Sequence, residues 1–120
     1  MSRLARGSTS ATGKRAEDAA VAHVAALGMH VMARNVRGRG GEIDIVAKEG
    51  ETIVFIEVKA RSSHAFGSAL AAVDARKRRR IRAIAEDYLQ VVAPQARARF
   101  DVLTVEREGM TLHRNAFTWP

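Results

Sequence analysis

Cysteine is absent from the chain, which excludes disulfides, thiolate catalysis and any cysteine-ligated zinc. Proline occurs twice, and the aromatic residues are one tryptophan, one tyrosine and four phenylalanines. So few rings leave little with which to build a base-stacking surface for single-stranded nucleic acid. No apolar run approaches the ~18 residues of a membrane span. The stretch Met1 to Arg15 lacks the apolar segment of about 7–15 residues that marks a secretory signal. The expectation is a cytoplasmic protein with no membrane partner.

Positive charge is what the chain does have. Twenty lysines and arginines, mostly arginine, outnumber 13 aspartates and glutamates, for a net charge of +7. Such an excess in a small domain points to a polyanionic partner, most often nucleic acid. An arginine- and alanine-rich composition also follows from genomic base composition, so charge alone does not decide. The length of 120 residues suits one compact domain. Residues 1–11 are small, polar and basic, and read as a flexible tail ahead of a single domain over residues 12–120.

Apolar periodicity divides that domain. Thr12 is placed to cap a helix starting near Lys14, with Ala16, Ala20, His23, Val24 and Leu27 on one stripe and Gly28 as its stop. Met29 to Arg37 reads as a strand, and Arg37 to Gly41 as a loop. Glu42 to Lys48 alternates, with Ile43, Ile45 and Ala47 on one face; a turn at Glu49-Gly50 leads to a strand from Glu51 to Arg61. These two strands form an antiparallel hairpin. After a loop from Ser62, Asp74 caps a helix over Ala75 to Val92, whose stripe runs Lys77, Ile81, Ile84, Ala85, Tyr88, Leu89 and Val92. Pro94 stops it. Ala98 to Glu106 and Met110 to Phe117 read as two last strands about a turn at Glu108-Gly109.

One strand ends oddly. After Ile53-Val54-Phe55-Ile56 come Glu57, Val58 and Lys59, and alternation puts Ile53, Phe55, Glu57 and Lys59 on one side. On the preceding strand Glu42, Asp44 and Val46 share a side. Depending on whether the turn centres on Glu49-Gly50 or on Gly50-Glu51, Asp44 faces Phe55 or Glu57; in both registers the two carboxylates come close. Two such acids raise one another's pKa unless a cation lies between them. Mg²⁺ or Mn²⁺ suits oxygen ligands, here Asp44, Glu57 and the Val58 carbonyl. Lys59, on the same side, could orient or deprotonate a water, or hold a phosphate. A Glu-x-Lys strand end is more commonly a solvated face; what weighs against that is an acid on each of two consecutive strands in a strongly basic chain. Glu17 lies on the stripe of the first helix, either as a further member of the site or as a complement to the helix dipole.

With these residues in place, the chain resembles the restriction-endonuclease-like PD-(D/E)XK nuclease superfamily, through Asp44, Glu57-Val58-Lys59 and a preceding helix bearing Glu17. More closely it resembles the YraN family of small bacterial proteins, related to archaeal Holliday-junction resolvases. The shared blocks are "GKRAEDAA" (Gly13 to Ala20), "ARN" (Ala33 to Asn35), "RGGEIDIVA" (Arg39 to Ala47) and "VFIEVKARSSHAFG" (Val54 to Gly67). They continue in "AVDARKRRRI" (Ala72 to Ile81), "RFDV" (Arg99 to Val102) and "HRNAF" (His113 to Phe117). No proline precedes Asp44, and Ala60 stands where close relatives usually carry threonine. The resemblance implies an α/β fold with a mixed sheet of about five strands flanked by helices. It also implies Asp44, Glu57 and Lys59 as metal and catalytic positions, with Glu17 as a helix-borne ligand.

Basic residues surround this set. Arg78, Arg79 and Arg82 fall off the apolar stripe of the second helix, while Lys77 lies on it and points inward. Arg37 and Arg39 precede the strand of Asp44, and Arg61 follows Lys59. A run of this kind is either a solvated face or a clamp for a nucleic-acid backbone, which positions substrate without reading its sequence. The histidines show no metal-ligand spacing; His64 alone lies in a loop near Lys59. The reading is a Mg²⁺- or Mn²⁺-dependent endonuclease acting on DNA by backbone and shape, at branched or damaged structures, with a homodimer suited to symmetric cutting. The alternatives are a nucleic-acid-binding module of the same fold without turnover, and an interaction scaffold.

Overall fold

The computed structural model describes residues 11–38, 40–60 and 75–117. The expected tail, the loop after Arg61, the Asp74 cap, Arg39, Arg61, His64 and Trp119 lie outside the described residues. The first helix, α1 (Ala11–Ala26), is rich in alanine, the strongest helix former. It already runs at Thr12, which therefore lies inside its first turn and not at its cap. Its end is a Schellman motif: Gly28, at φ +97°, donates to the Ala25 carbonyl at 3.0 Å, and Met29 donates to the Val24 carbonyl at 3.4 Å. Met29 and Val24 also pack in one cluster, so the turn is sealed by apolar contact as well. Leu27, expected on the buried stripe, is 42% exposed because it follows the last helical residue as the chain swings into this turn.

Three antiparallel strands follow: β1 (His30–Gly38), β2 (Gly41–Glu49) and β3 (Thr52–Ala60). The second described helix, α2 (Ala75–Val92), lies between β3 and a parallel neighbour, β4 (Arg97–Glu106), and β5 (Gly109–Phe117) returns antiparallel. The spatial order is β1-β2-β3-β4-β5, a mixed five-stranded sheet in an α/β fold. Among the described residues, no helix is long and apolar enough to cross a membrane.

β3 is central, which is why it is apolar on both sides. Ile53 and Phe55 face a core built with α2, whereas Val54 and Ile56 face one built with α1. Phe55 meets Tyr88 edge-on at 6.0 Å and Phe100 at 5.6 Å, and Phe100 stacks on Phe117 at 4.8 Å. Most of the few aromatic residues are thus spent in the α2-side core. From α2 itself, Ile81, Ile84, Ala85 and Leu89 are buried. Val92, expected on the same stripe, is 45% exposed: the buried part of the stripe ends at Leu89, one turn earlier.

Candidate active site

The site begins where β2 and β3 part. Their pairing runs from Glu49 with Thr52 to Ile45 with Ile56, so the turn centres on Gly50-Glu51. Of the two registers weighed, this is the one that sets Asp44 opposite Glu57. At that position a side chain takes over from the backbone ladder: Asp44 Oδ2 accepts the N–H of Val58 at 2.8 Å. The strand also changes face here. Ile43, expected to share a side with Ile45 and Ala47, packs instead with Val46 in the α2-side core, while Ile45 and Ala47 stay on the α1 side. The alternation of a regular strand fails because β2 twists as it leaves its partner.

Glu42 and Asp44 thereby meet Glu17 of α1, and carboxylate oxygens of these three lie within 4.8 Å of one another. Each outer acid is held by an arginine from β1. Arg34 reaches Glu17 at 3.3 Å and Asp18 at 2.8 Å, and Arg37 reaches Glu42 at 3.2 Å. Between these arginines Asn35 adopts a left-handed backbone, φ 53°. Asp44 has no cationic partner among its described bonds. Burial first, then the charge of Glu57, push its carboxyl up to about 7, against the lowering effect of the Val58 N–H.

Glu57 is 8% exposed and sits apart from that trio, between two ammonium groups. Lys77 Nζ, arriving from α2, lies 2.5 Å from Glu57 Oε2, and Lys59 Nζ lies 3.5 Å from the same oxygen. Burial, and next the adjoining Lys77 ammonium, hold Lys59 below the usual lysine range. For Lys77 burial acts in the same direction but is outweighed by its bond to Glu57, so it is held above that range.

The structure therefore brings Glu17, Asp44, Glu57, Lys59 and Lys77 to one fork in the sheet. The metal set expected from sequence was Asp44, Glu57 and the Val58 carbonyl. The gathered carboxylates are Glu17, Glu42 and Asp44, while Val58 meets Asp44 through its N–H and Glu57 is engaged by lysines. Three hard oxygen donors at this spacing could hold a divalent cation. The charge such an ion carries is also what the perturbed Asp44 lacks. Glu42 was missed as a ligand, although it shares its strand side with Asp44 by simple parity. Arg37, expected on nucleic acid, is paired with Glu42, and Arg78 stands 5.2 Å over the ring of Phe117. Arg79 is exposed and Arg82 half-buried, further along α2. His113, read as structural, lies with Nε2 3.1 Å from Thr104 Oγ1.

Comparison with known proteins adds a family. Residues 16–105 match the model of "Uncharacterised protein family UPF0102". A UPF0102 protein of Dechloromonas aromatica (strain RCB) is 41% identical over 114 residues, covering 95% of this chain and 94% of its own length. One from Parafrankia sp. (strain EAN1pec) is 50% identical over 97 residues, 80% of this chain and 82% of its own. A third, from Pseudomonas aeruginosa (strain LESB58), is 43% identical over 103 residues, 84% and 82% respectively.

Proposed function

The chain belongs to the uncharacterised protein family UPF0102, the YraN family, and on that premise we propose that it is a metal-dependent endonuclease hydrolysing DNA phosphodiester bonds. The observation that carries this reading is the fork: an acid cluster able to take a divalent ion sits beside a lysine of lowered pKa, in a strongly basic chain. Glu17, Glu42 and Asp44 would hold Mg²⁺ or Mn²⁺, with Glu57 on the far side of the fork. When bound, such an ion supplies Lewis-acid polarisation of a phosphoryl oxygen and a more acidic water.

The chain's own groups do the rest. Lys59, its ammonium weakened by burial and by Lys77, accepts the proton of the attacking water at Nζ. The water oxygen bonds to phosphorus as the P–O bond to the leaving strand breaks. Lys77 stays cationic and counters phosphate charge as a point donor. The exposed arginines of α2, Arg79 among them, hold the DNA backbone on the side from which Lys77 enters. Such contacts follow shape, which fits branched or damaged DNA as substrate. One observation favours a second reading, a DNA-binding module without turnover: the Glu57 oxygen is already matched by Lys77 at 2.5 Å.

The test is incubation of the purified chain with linear, nicked and four-way-junction DNA, with and without Mg²⁺ or Mn²⁺. Metal-dependent strand cleavage is expected, lost in Asp44→Ala and Lys59→Ala. Equal cleavage by wild type and Asp44→Ala would trace the activity to a contaminant. Salt-sensitive binding with no cleavage would leave the binding module.

A further inference from the structure

We infer that Asn35 is a fourth ligand of the divalent ion, an amide that turns end for end as the ion arrives; this rests on the metal reading above. Among the described residues, Asn35 and Asn115 are the non-glycine positions with positive φ. At Asn35 this backbone directs the amide between α1 and β2. The two flanking arginines take the outer oxygens of the acids, Arg34 on Glu17 Oε1 and Arg37 on Glu42 Oε1. The inner oxygens are left to Asn35. With its nitrogen turned inward, the amide donates to Glu42 Oε2 at 3.1 Å and to Glu17 Oε2 at 3.2 Å.

That orientation suits a site without an ion, where two carboxylates need protons to share. It is the wrong one for a bound cation, since N–H groups repel it. A half-turn about Cβ–Cγ exchanges nitrogen for oxygen at nearly the same point and needs no movement of the backbone. The amide oxygen then stands beside one oxygen each from Glu17 and Glu42. Their separations match an octahedral shell: ligands at right angles, each about 2.0–2.1 Å from Mg²⁺, lie about 3 Å apart. Asn35 is thus a donor that satisfies the acids of the free protein and becomes an acceptor for the ion.

Mn²⁺ binding to the full chain, followed by electron paramagnetic resonance of the free ion, tests this without any cleavage assay. Asn35→Gly keeps the left-handed backbone and removes the amide; its affinity should fall about 10–100-fold. Asn35→Asp cannot donate but offers an oxygen in the same place, and should bind Mn²⁺ at least as well as wild type. A role as a hydrogen-bond tie alone predicts that both variants lose equally. That result, or wild-type affinity in Asn35→Gly, overturns the inference while leaving the metal reading intact. If wild type itself binds no Mn²⁺, both fall. Independently, the Asn35 side-chain ¹⁵N resonance should move on Mg²⁺ titration; a resonance that stays fixed through saturation overturns the half-turn.

Discussion

Asp44 and Asp101 are both aspartates on inner strands of one sheet, and in each case a left-handed asparagine stands on the neighbouring edge strand. Their surroundings are opposite. Asp101 is 1% exposed and its oxygens are saturated: Arg99 grips it with two nitrogens, at 2.9 and 3.0 Å, and the Asn115 N–H adds a third bond at 2.8 Å. Arg99 extends to Glu49 at 2.9 Å, which also takes Arg114 at 2.7 Å. Asp44 receives a single backbone N–H and is surrounded by further acids. The difference teaches that depth does not distinguish a working carboxylate from a structural one. Unmatched negative charge does, because only that leaves a vacancy for a cation from solution.

The sharpest way to break this comparison is to remove each acid. Asp101→Ala leaves Arg99 with Glu49 alone and strands the Asn115 N–H, so it should cost about 3 kcal/mol in urea unfolding. Asp44→Asn should not cost stability in the absence of divalent ions. Its sign follows from linkage. A carboxyl raised to about 7 from the ordinary aspartate value binds more protons folded than unfolded, so its contribution is present at low pH. That contribution is lost as pH rises through about 7. Between pH 5 and 8, metal-free wild type should therefore lose about 1–2 kcal/mol relative to Asp44→Asn, and Mg²⁺ should cancel the difference. An unchanged difference across that range would mean that Asp44 is as well matched as Asp101.

The smallest effect concerns the asparagines. Asn115 serves Asp101 through its backbone, so Asn115→Gly should be tolerated within a few tenths of a kcal/mol, while Asn115→Ala in the left-handed region should cost about 1 kcal/mol. At Asn35 the side chain itself is engaged. Glycine there should spare thermal stability in calorimetry only if the Glu17 and Glu42 contacts do not help join α1 to β2.

Much of this was legible in the sequence. Apolar periodicity placed both helices and the hairpin, and the two registers weighed for Asp44 included the one adopted. Lys77, the polar member of an apolar stripe, was correctly read as reaching inward. What escaped was produced by tertiary geometry. Strict alternation assigned Ile43 to the wrong face because it presumes a straight ladder, and β2 leaves its partner at Asp44. Glu42 joins Asp44 and Glu17 only through the way α1 packs on the sheet. Asp101 sits inside an apolar run, where no local signal foretells the bidentate arginine two residues before it. Leu27 and Val92 failed at helix ends, where periodicity continues but the partner surface does not.

The bond from the Val58 amide to Asp44 has one more consequence. Because a side chain and not a neighbouring strand caps that amide, its exchange with deuterium is tied to the charge of one carboxylate. Acidifying the solution weakens the acceptor, and a cation seated on Asp44 competes for it. A single backbone proton in the middle of the sheet thereby becomes a built-in gauge of what occupies the fork, readable without substrate.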